Sequence, residues 1–193
     1  MLFVFYCIYC VNFLTRYFLP YKKMVEILFL GPKSSGKSLL IKRMQALSED
    51  KRISPFDQIA LPKPTEGTNA INFNFRGTTF VFKELGGDQI EDWEHHAKTP
   101  KAIIYVFDAA DLTMTATNIV FLQELLSSKV TEDKPILIAL SKCDIPDFVH
   151  FNVIDEIIGF DAFDKKRISF METSAVVGVG LDTIFEWIAD QMK

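Results

Sequence analysis

Apolar residues in this chain fall in short separate runs, and the period within each run changes along the sequence. Residues 25–30 (VEILFL) form a brief apolar run stopped by Gly31 and Pro32, which predicts a buried strand. Residues 102–107 (AIIYVF) and 135–140 (PILIAL) are apolar almost throughout, the mark of strands covered on both faces. Residues 37–47 place Leu39, Leu40, Met44 and Leu47 at helical spacing. Residues 70–75 alternate Ile71, Phe73 and Phe75 against Asn72 and Asn74; a turn at Arg76 and Gly77 then leads into an antiparallel partner over 79–84. Asp111 is placed to cap a helix over 112–127, and a helix over 152–158, a strand over 168–172 and a last helix over 181–191 follow. Residues 48–69, with Pro55, Pro62, Pro64 and Gly67, read as loop. Strands alternating with helices predict an α/β fold: a six-stranded, mostly parallel sheet with one antiparallel edge strand and helices on both faces.

The pattern breaks near residue 23. Residues 1–23 are apolar apart from a few positions and hold Arg16, Lys22 and Lys23 with no acidic residue, so the chain's charge of −4 becomes −7 without them. The expected organisation is a hydrophobic segment at 1–23 and one domain at 24–193. About 20 apolar residues are needed to cross a bilayer, more than this segment offers before Arg16. Basic residues after the apolar run and the lack of a small-x-small cleavage site argue against a secretory signal. Two readings stay open: an anchor with its basic residues on the cytosolic side, or upstream sequence preceding a start at Met24. Cys7 and Cys10 form CxxC without the βαβ surroundings of a redox site, and three cysteines in all do not make a disulfide scaffold. The acidic balance gives no electrostatic case for nucleic-acid binding.

Gly31-Pro32-Lys33-Ser34-Ser35-Gly36-Lys37-Ser38 fits G-x-x-x-x-G-K-[ST] between a predicted buried strand and a predicted helix. Glycines there let backbone N–H groups wrap phosphate oxygens, and the helix N-terminus adds a favourable field. Lys37 is expected on the β- and γ-phosphates and the Ser38 hydroxyl on Mg²⁺. This motif selects a nucleoside triphosphate without choosing its base. The base is addressed by Ser141-Lys142-Cys143-Asp144, at the carboxyl end of a buried strand, where open α/β sheets bind ligands. A carboxylate there accepts two hydrogen bonds from guanine, and adenine offers no such donor pair, so Asp144 is expected to set specificity while the Lys142 stem covers the base. Glu172-Thr173-Ser174-Ala175 ends the next strand, and the N–H groups of Ser174 and Ala175 are candidates for the guanine oxygen.

With these loops in hand, residues 24–193 resemble the small GTPases of the Arf-like family, most particularly in Pro64-Thr65-x-Gly67-x-Asn69, Leu85-Gly86-Gly87 and Trp93. The resemblance implies a switch that binds GTP or GDP with Mg²⁺. It also implies that Thr65 gives its hydroxyl to Mg²⁺ and its N–H to the γ-phosphate, and that Gly87 donates from the second switch. Glu84 stands where the family carries the Asp that touches Mg²⁺ through water. Asp88 stands where hydrolysing members carry the Gln that orients water, so slow hydrolysis is expected, or none. Ser141 replaces the family's Asn, whose amide ties the base loop to the phosphate loop; loss of that tie, weaker nucleotide binding and a kept guanine preference are expected. The three positions where the family shows an aromatic effector triad carry Thr68, Lys83 and His96, so a different set of protein effectors and regulators is implied. His95 and His96 lack metal-ligand spacing, and Trp93 is expected in the core. Neither Met1 nor Met24 is followed by the Gly needed for myristoylation, and no prenylation box ends the chain. A cytoplasmic monomer is expected, with membrane contact only through residues 1–23 or a partner.

Overall fold

The computed structural model describes residues 24–49, 63–75, 77–164 and 166–191. The leader with its CxxC, most of the expected loop at 48–69, and Arg76 of the hairpin turn lie outside the described residues. The strands are β1 (Met24–Leu30), β2 (Thr68–Phe75), β3 (Thr78–Leu85), β4 (Ala102–Asp108), β5 (Ile136–Ser141) and β6 (Ile168–Glu172). The helices are α1 (Lys37–Ser48), a single turn α2 (Trp93–His96), α3 (Leu112–Ser127), α4 (Phe151–Ile158) and α5 (Leu181–Asp190).

The strands hydrogen-bond in the order β2-β3-β1-β4-β5-β6. Only β2 with β3 is antiparallel, and the other pairs are parallel, as the alternation of strand and helix requires. Successive strand residues point to opposite faces, and both faces are filled. Leu28, Leu30, Ile103, Tyr105 and Phe107 meet Leu122 and Leu126 of α3 and Ile154 of α4 on one side. Ile27, Phe29, Ile104 and Val106 meet Leu40, Ile41 and Met44 of α1 and Ile184, Phe185 and Ile188 of α5 on the other. Each fully buried Leu, Ile or Phe contributes about 1.5–3 kcal/mol, so β1, β4 and β5 anchor the molecule.

The structure corrects the expected elements at their ends. β2 starts at Thr68, because Thr68 pairs with Leu85 and Asn69 with Glu84, and the Gly86 N–H donates to the Gly67 carbonyl at 2.9 Å. The longer β3 thus draws two supposed loop residues into the ladder. β5 starts at Ile136 rather than Pro135 and runs on to Ser141; the proline has no N–H to give, although its carbonyl accepts from Ile103 at 3.0 Å. The turn at Ile90–Asp92 and the helix α2 have no counterpart in the sequence periodicity, being too short to show one. Among the described residues no helix is long and apolar enough to cross a membrane.

Trp93 fixes that short segment. It is 5% exposed and meets Tyr105 and Phe121 edge-on at centroid distances of 5.9 and 5.8 Å. Its indole N–H is buried without a partner, so only packing holds it. Trp93→Ala is expected to lower unfolding free energy by about 3–5 kcal/mol in urea titration, and Trp93→Phe by clearly less.

Candidate functional site

All the parallel strands of the sheet's centre end at one rim, and the site is built from the turns that leave it. β1 passes directly into Gly31, whose φ is 140° and where a Cβ would lie 2.3 Å from the Val106 carbonyl oxygen. No other residue fits there without moving β4. The chain turns through Pro32, Lys33 and Ser34, with Ser34 at φ 64°, closes with the Ser35 N–H on the Pro32 carbonyl at 3.3 Å, and enters α1 through Gly36 at φ 99°. No side chain caps α1, so its first N–H groups are left for an anion.

Lys37 folds back over this turn and donates to the carbonyls of Gly31 and Pro32, each at 2.8 Å. Burial pulls its pKa from 10.5 down to about 8, against the opposing fields of the Glu84 and Asp88 carboxylates. Its hydrogen bonds go to carbonyls while the two carboxylates act on it without a bonded contact, which suits this buried ammonium to an anionic ligand.

Beside it, three segments distant in sequence come together. The Ser38 hydroxyl donates to Glu84 Oε1 at 2.5 Å and lies 3.2 Å from Thr65 Oγ1. Ser38 lies in the first turn of α1, Thr65 before β2 and Glu84 one residue short of the end of β3; Glu84 is 2% exposed. These are hard oxygen donors with a single carboxylate, and no group of three or more His, Cys, Asp or Glu among the described residues could hold a metal ion. Such a set fits Mg²⁺, which commonly takes one or two protein oxygens and completes its shell with phosphate and water.

Gly86 and Gly87 permit this convergence. A Cβ on Gly86 would sit 2.7 Å from the Thr65 carbonyl oxygen, and one on Gly87 would sit 2.2 Å from the Lys33 backbone nitrogen. The chain after β3 therefore lies directly on the turn between β1 and α1. Asp88 follows, and its carboxylate accepts from Lys33 Nζ at 3.4 Å with both side chains largely exposed. Gln89, next to it, has its side-chain oxygen buried without a partner and does not line the cavity.

The opposite end is made by the turns after β5 and β6. The Cys143 N–H donates to the Thr173 carbonyl at 3.1 Å, clamping the two turns together. Lys142 adopts φ 68°, which costs a side chain of this kind about 1–2 kcal/mol, and its ammonium donates to Asp108 at 2.5 Å. Asp108 was not singled out from the sequence; a carboxylate closing the apolar run of β4 was the available signal. Burial and the nearby Asp144 and Glu172 carboxylates push the Cys143 thiol up, which disfavours its thiolate.

Two expectations change here. Ser141 does not surrender the tie between the two loops: its hydroxyl lies 2.7 Å from the Ser35 carbonyl and 3.0 Å from the Phe107 carbonyl. One proton serves two acceptors, so the tie is kept but shared. Ser174 does not face the opening. Its N–H donates to the Val179 carbonyl at 3.0 Å, and its hydroxyl accepts from the N–H groups of Val176 and Val177, each at 3.2 Å. It shapes the turn, and its half-buried neighbour Ala175 lines the cavity.

Between the two ends lies a cavity of about 480 Å³. Lys33, Ser34, Gly36, Lys37, Ser38, Thr65, Glu84, Gly87 and Asp88 line one end; Ser141, Lys142, Asp144 and Ala175 line the other. Gly31, Pro32, Ser35 and Ser174, also expected at the site, are not among its lining residues. Thr173 of the expected base-reading turn lines it as well; Lys63, Ile145 and Val176 also line it and have no sequence signal, Ile145 and Val176 being exposed aliphatic residues whose role no local pattern announces.

The three positions expected to replace an aromatic triad are polar. Thr68 is exposed, and Lys83 pairs with Glu26 at 3.7 Å. Partial burial and the adjacent Lys83 and His95 side chains lower the pKa of His96.

Comparison with known proteins agrees with this architecture. The ADP-ribosylation factor family model matches residues 11–192. Over 164 residues the chain is 29% identical to ADP-ribosylation factor-like protein 16 of Homo sapiens, covering 83% of each. It is 26% identical over 171 residues to ADP-ribosylation factor-like protein 1 of Caenorhabditis elegans, covering 88% of this chain and 89% of that one. The structure of the Arl6 BBS3 small GTPase of Trypanosoma brucei with bound nucleotide analogue GppNp superposes with a TM-score of 0.72. That match covers 87% of this chain and 96% of the other at 19% identity, a likeness of fold. A sheet of this order, a phosphate-type turn at its rim and a family match across nearly the whole length lead to one conclusion: the chain belongs to the ADP-ribosylation factor family of small GTPases.

Proposed function

We propose that this chain is a guanine-nucleotide switch that holds GTP or GDP with Mg²⁺ in the rim cavity and hydrolyses GTP slowly. The observation that carries the proposal is the meeting of Ser38, Thr65 and Glu84 beside Lys37 in a cavity that ends at Asp144. The turn from Gly31 to Gly36 wraps the phosphates with its N–H groups, and Lys37 neutralises them. Ser38 and Thr65 would hold Mg²⁺, with Glu84 acting through water, and the ion would screen phosphate charge. The N–H groups of Thr65 and Gly87 meet the γ-phosphate. Asp144 accepts from the two guanine donors, Lys142 leaves Asp108 to lie over the base, and Ala175 gives its N–H to the base oxygen. Because Thr65 and Gly87 sit on segments that also form the outer surface, γ-phosphate contact is transmitted to protein effectors and regulators. The polar Thr68, Lys83 and His96 suit partners that recognise charge and hydrogen bonds rather than an apolar knob. A cytoplasmic monomer, with membrane contact through residues 1–23 or a partner, fits the acidic domain.

Asp88 favours a second reading, a module that binds GTP without hydrolysing it. Its carboxylate cannot donate to attacking water as an amide does, and it carries the charge of the phosphate it would face. Loss of one preorganised group commonly lowers rate by about 10²–10³. Phosphate release from bound GTP in single turnover separates the two, and none over hours would leave the binding module.

Wild-type protein is expected to take up labelled GTP and GDP with Mg²⁺; no uptake of either would end the proposal. Asp144→Asn is expected to cut the preference for GTP over ATP by about 10²-fold, measured by competition. Asp88→Gln is expected to raise single-turnover hydrolysis by about tenfold or more, and an unchanged rate would count against the role given to Asp88.

Nucleotide affinity should also fall as pH rises above about 8. In the free protein Lys37 begins to lose its proton there, and bound phosphate restores the ammonium, so binding at higher pH must take up a proton. The same shift acts on folding with the opposite sense. The penalty for burying the charged lysine is fully present below pH 8 and is relieved as pH climbs from 8 towards 10.5. Titrations of GDP binding between pH 7 and 9.5 test this, and an affinity flat across that range would remove Lys37 from the phosphate site.

A further inference from the structure

Lys33 and Asp88 hang from the two backbone segments that touch at Gly87, and both line the end of the cavity that also holds Lys37, Lys63 and Glu84. The side chains reach across that contact and pair at 3.4 Å, with side-chain exposures of 56% and 74%. An ion pair this open to water contributes little to stability, because solvent screens it and two long side chains must be held still. It is therefore easily exchanged for a better partner. Asp88 also acts at the phosphate end itself, since its field opposes the fall in the Lys37 pKa.

Resting on the nucleotide-binding proposal above, we propose that the Lys33–Asp88 pair discriminates triphosphate from diphosphate by exchanging partners. Without a γ-phosphate, the Lys33 ammonium stays on the Asp88 carboxylate and holds the segment after β3 against the turn before α1. When the γ-phosphate arrives, Lys33 turns to its oxygens, which carry more negative charge and accept more hydrogen bonds than one carboxylate. Asp88 loses its counter-ion and is repelled by the phosphate, so it swings out to solvent. The state of the nucleotide is then displayed as a newly unpaired carboxylate on the outer surface. Two opposing charges set the preference: Lys33 favours the triphosphate, and Asp88 disfavours it.

Competition binding on the full chain with Mg²⁺, using GDP and a non-hydrolysable GTP analogue, reads the ratio of the two affinities directly. Lys33→Ala is expected to lower the analogue-to-GDP ratio about tenfold, while Lys33→Arg keeps it. Asp88→Asn is expected to raise the ratio. Partner exchange has its own signature: Lys33→Ala lowers the ratio further in the Asp88→Asn background than in the native chain, because there the lysine has no carboxylate to leave. A ratio unmoved by Lys33→Ala while GDP still binds overturns the exchange and leaves the proposed function standing, and so does a ratio lowered by Asp88→Asn. Equal effects of Lys33→Ala in the two backgrounds also overturn it. Failure of the wild-type chain to bind either nucleotide overturns both proposals. Both side chains are exposed, so these variants are expected to fold, and unchanged urea midpoints check it.

Discussion

The parallel pairing of β1 with β3 on one side and β4 on the other holds the rest of the site in place. Phe29 lies level with Glu84, and Leu30 with Tyr105, so the turn after β1 and the segment after β3 leave the sheet side by side. β4 and β5 continue the alignment, with Asp108 level with Ser141. The strands are buried on both faces, which makes a slip of register expensive: it would exchange two filled hydrophobic layers. The cavity therefore inherits the precision of the core, although its own residues are mostly in turns.

Charge at the rim is arranged by depth. Glu84 and Asp108 are buried and each is met by a donor, Ser38 and Lys142. Lys37 is buried too, and the drop of its pKa to about 8 corresponds to about 3 kcal/mol against the charged form. An anionic ligand would recover that energy on binding. Lys33 with Asp88 lies at the surface, where a pair is worth about 0–1 kcal/mol, so the inner charges fix the frame and the outer ones respond.

Much of this was legible along the chain because the motif from Gly31 to Ser38 packs its chemistry into consecutive residues. The buried strands were equally plain, since a run such as AIIYVF suits few other environments. What escaped depends on contacts across space. The Ser141 hydroxyl reaches Ser35, a residue 106 positions away, and no local rule shows whether a shorter side chain can still span that gap. Ser174 looked like a ligand because of its place in the chain, yet its N–H is taken by Val179 of the same turn. Thr68 joined a strand because its partner continued, and α2 exists because Trp93 finds Tyr105 and Phe121.

Gly86 and Gly87 press so closely on their neighbours that the backbone there admits no side chain. On either side of that contact, positions 33 and 88 open to water and carry little of the fold. Mutation can thus rewrite the electrostatic character of the entrance, one charge at a time, while the main-chain path beneath stays frozen. A lineage built on this frame can change the charge at the mouth of the cavity without first losing its structure.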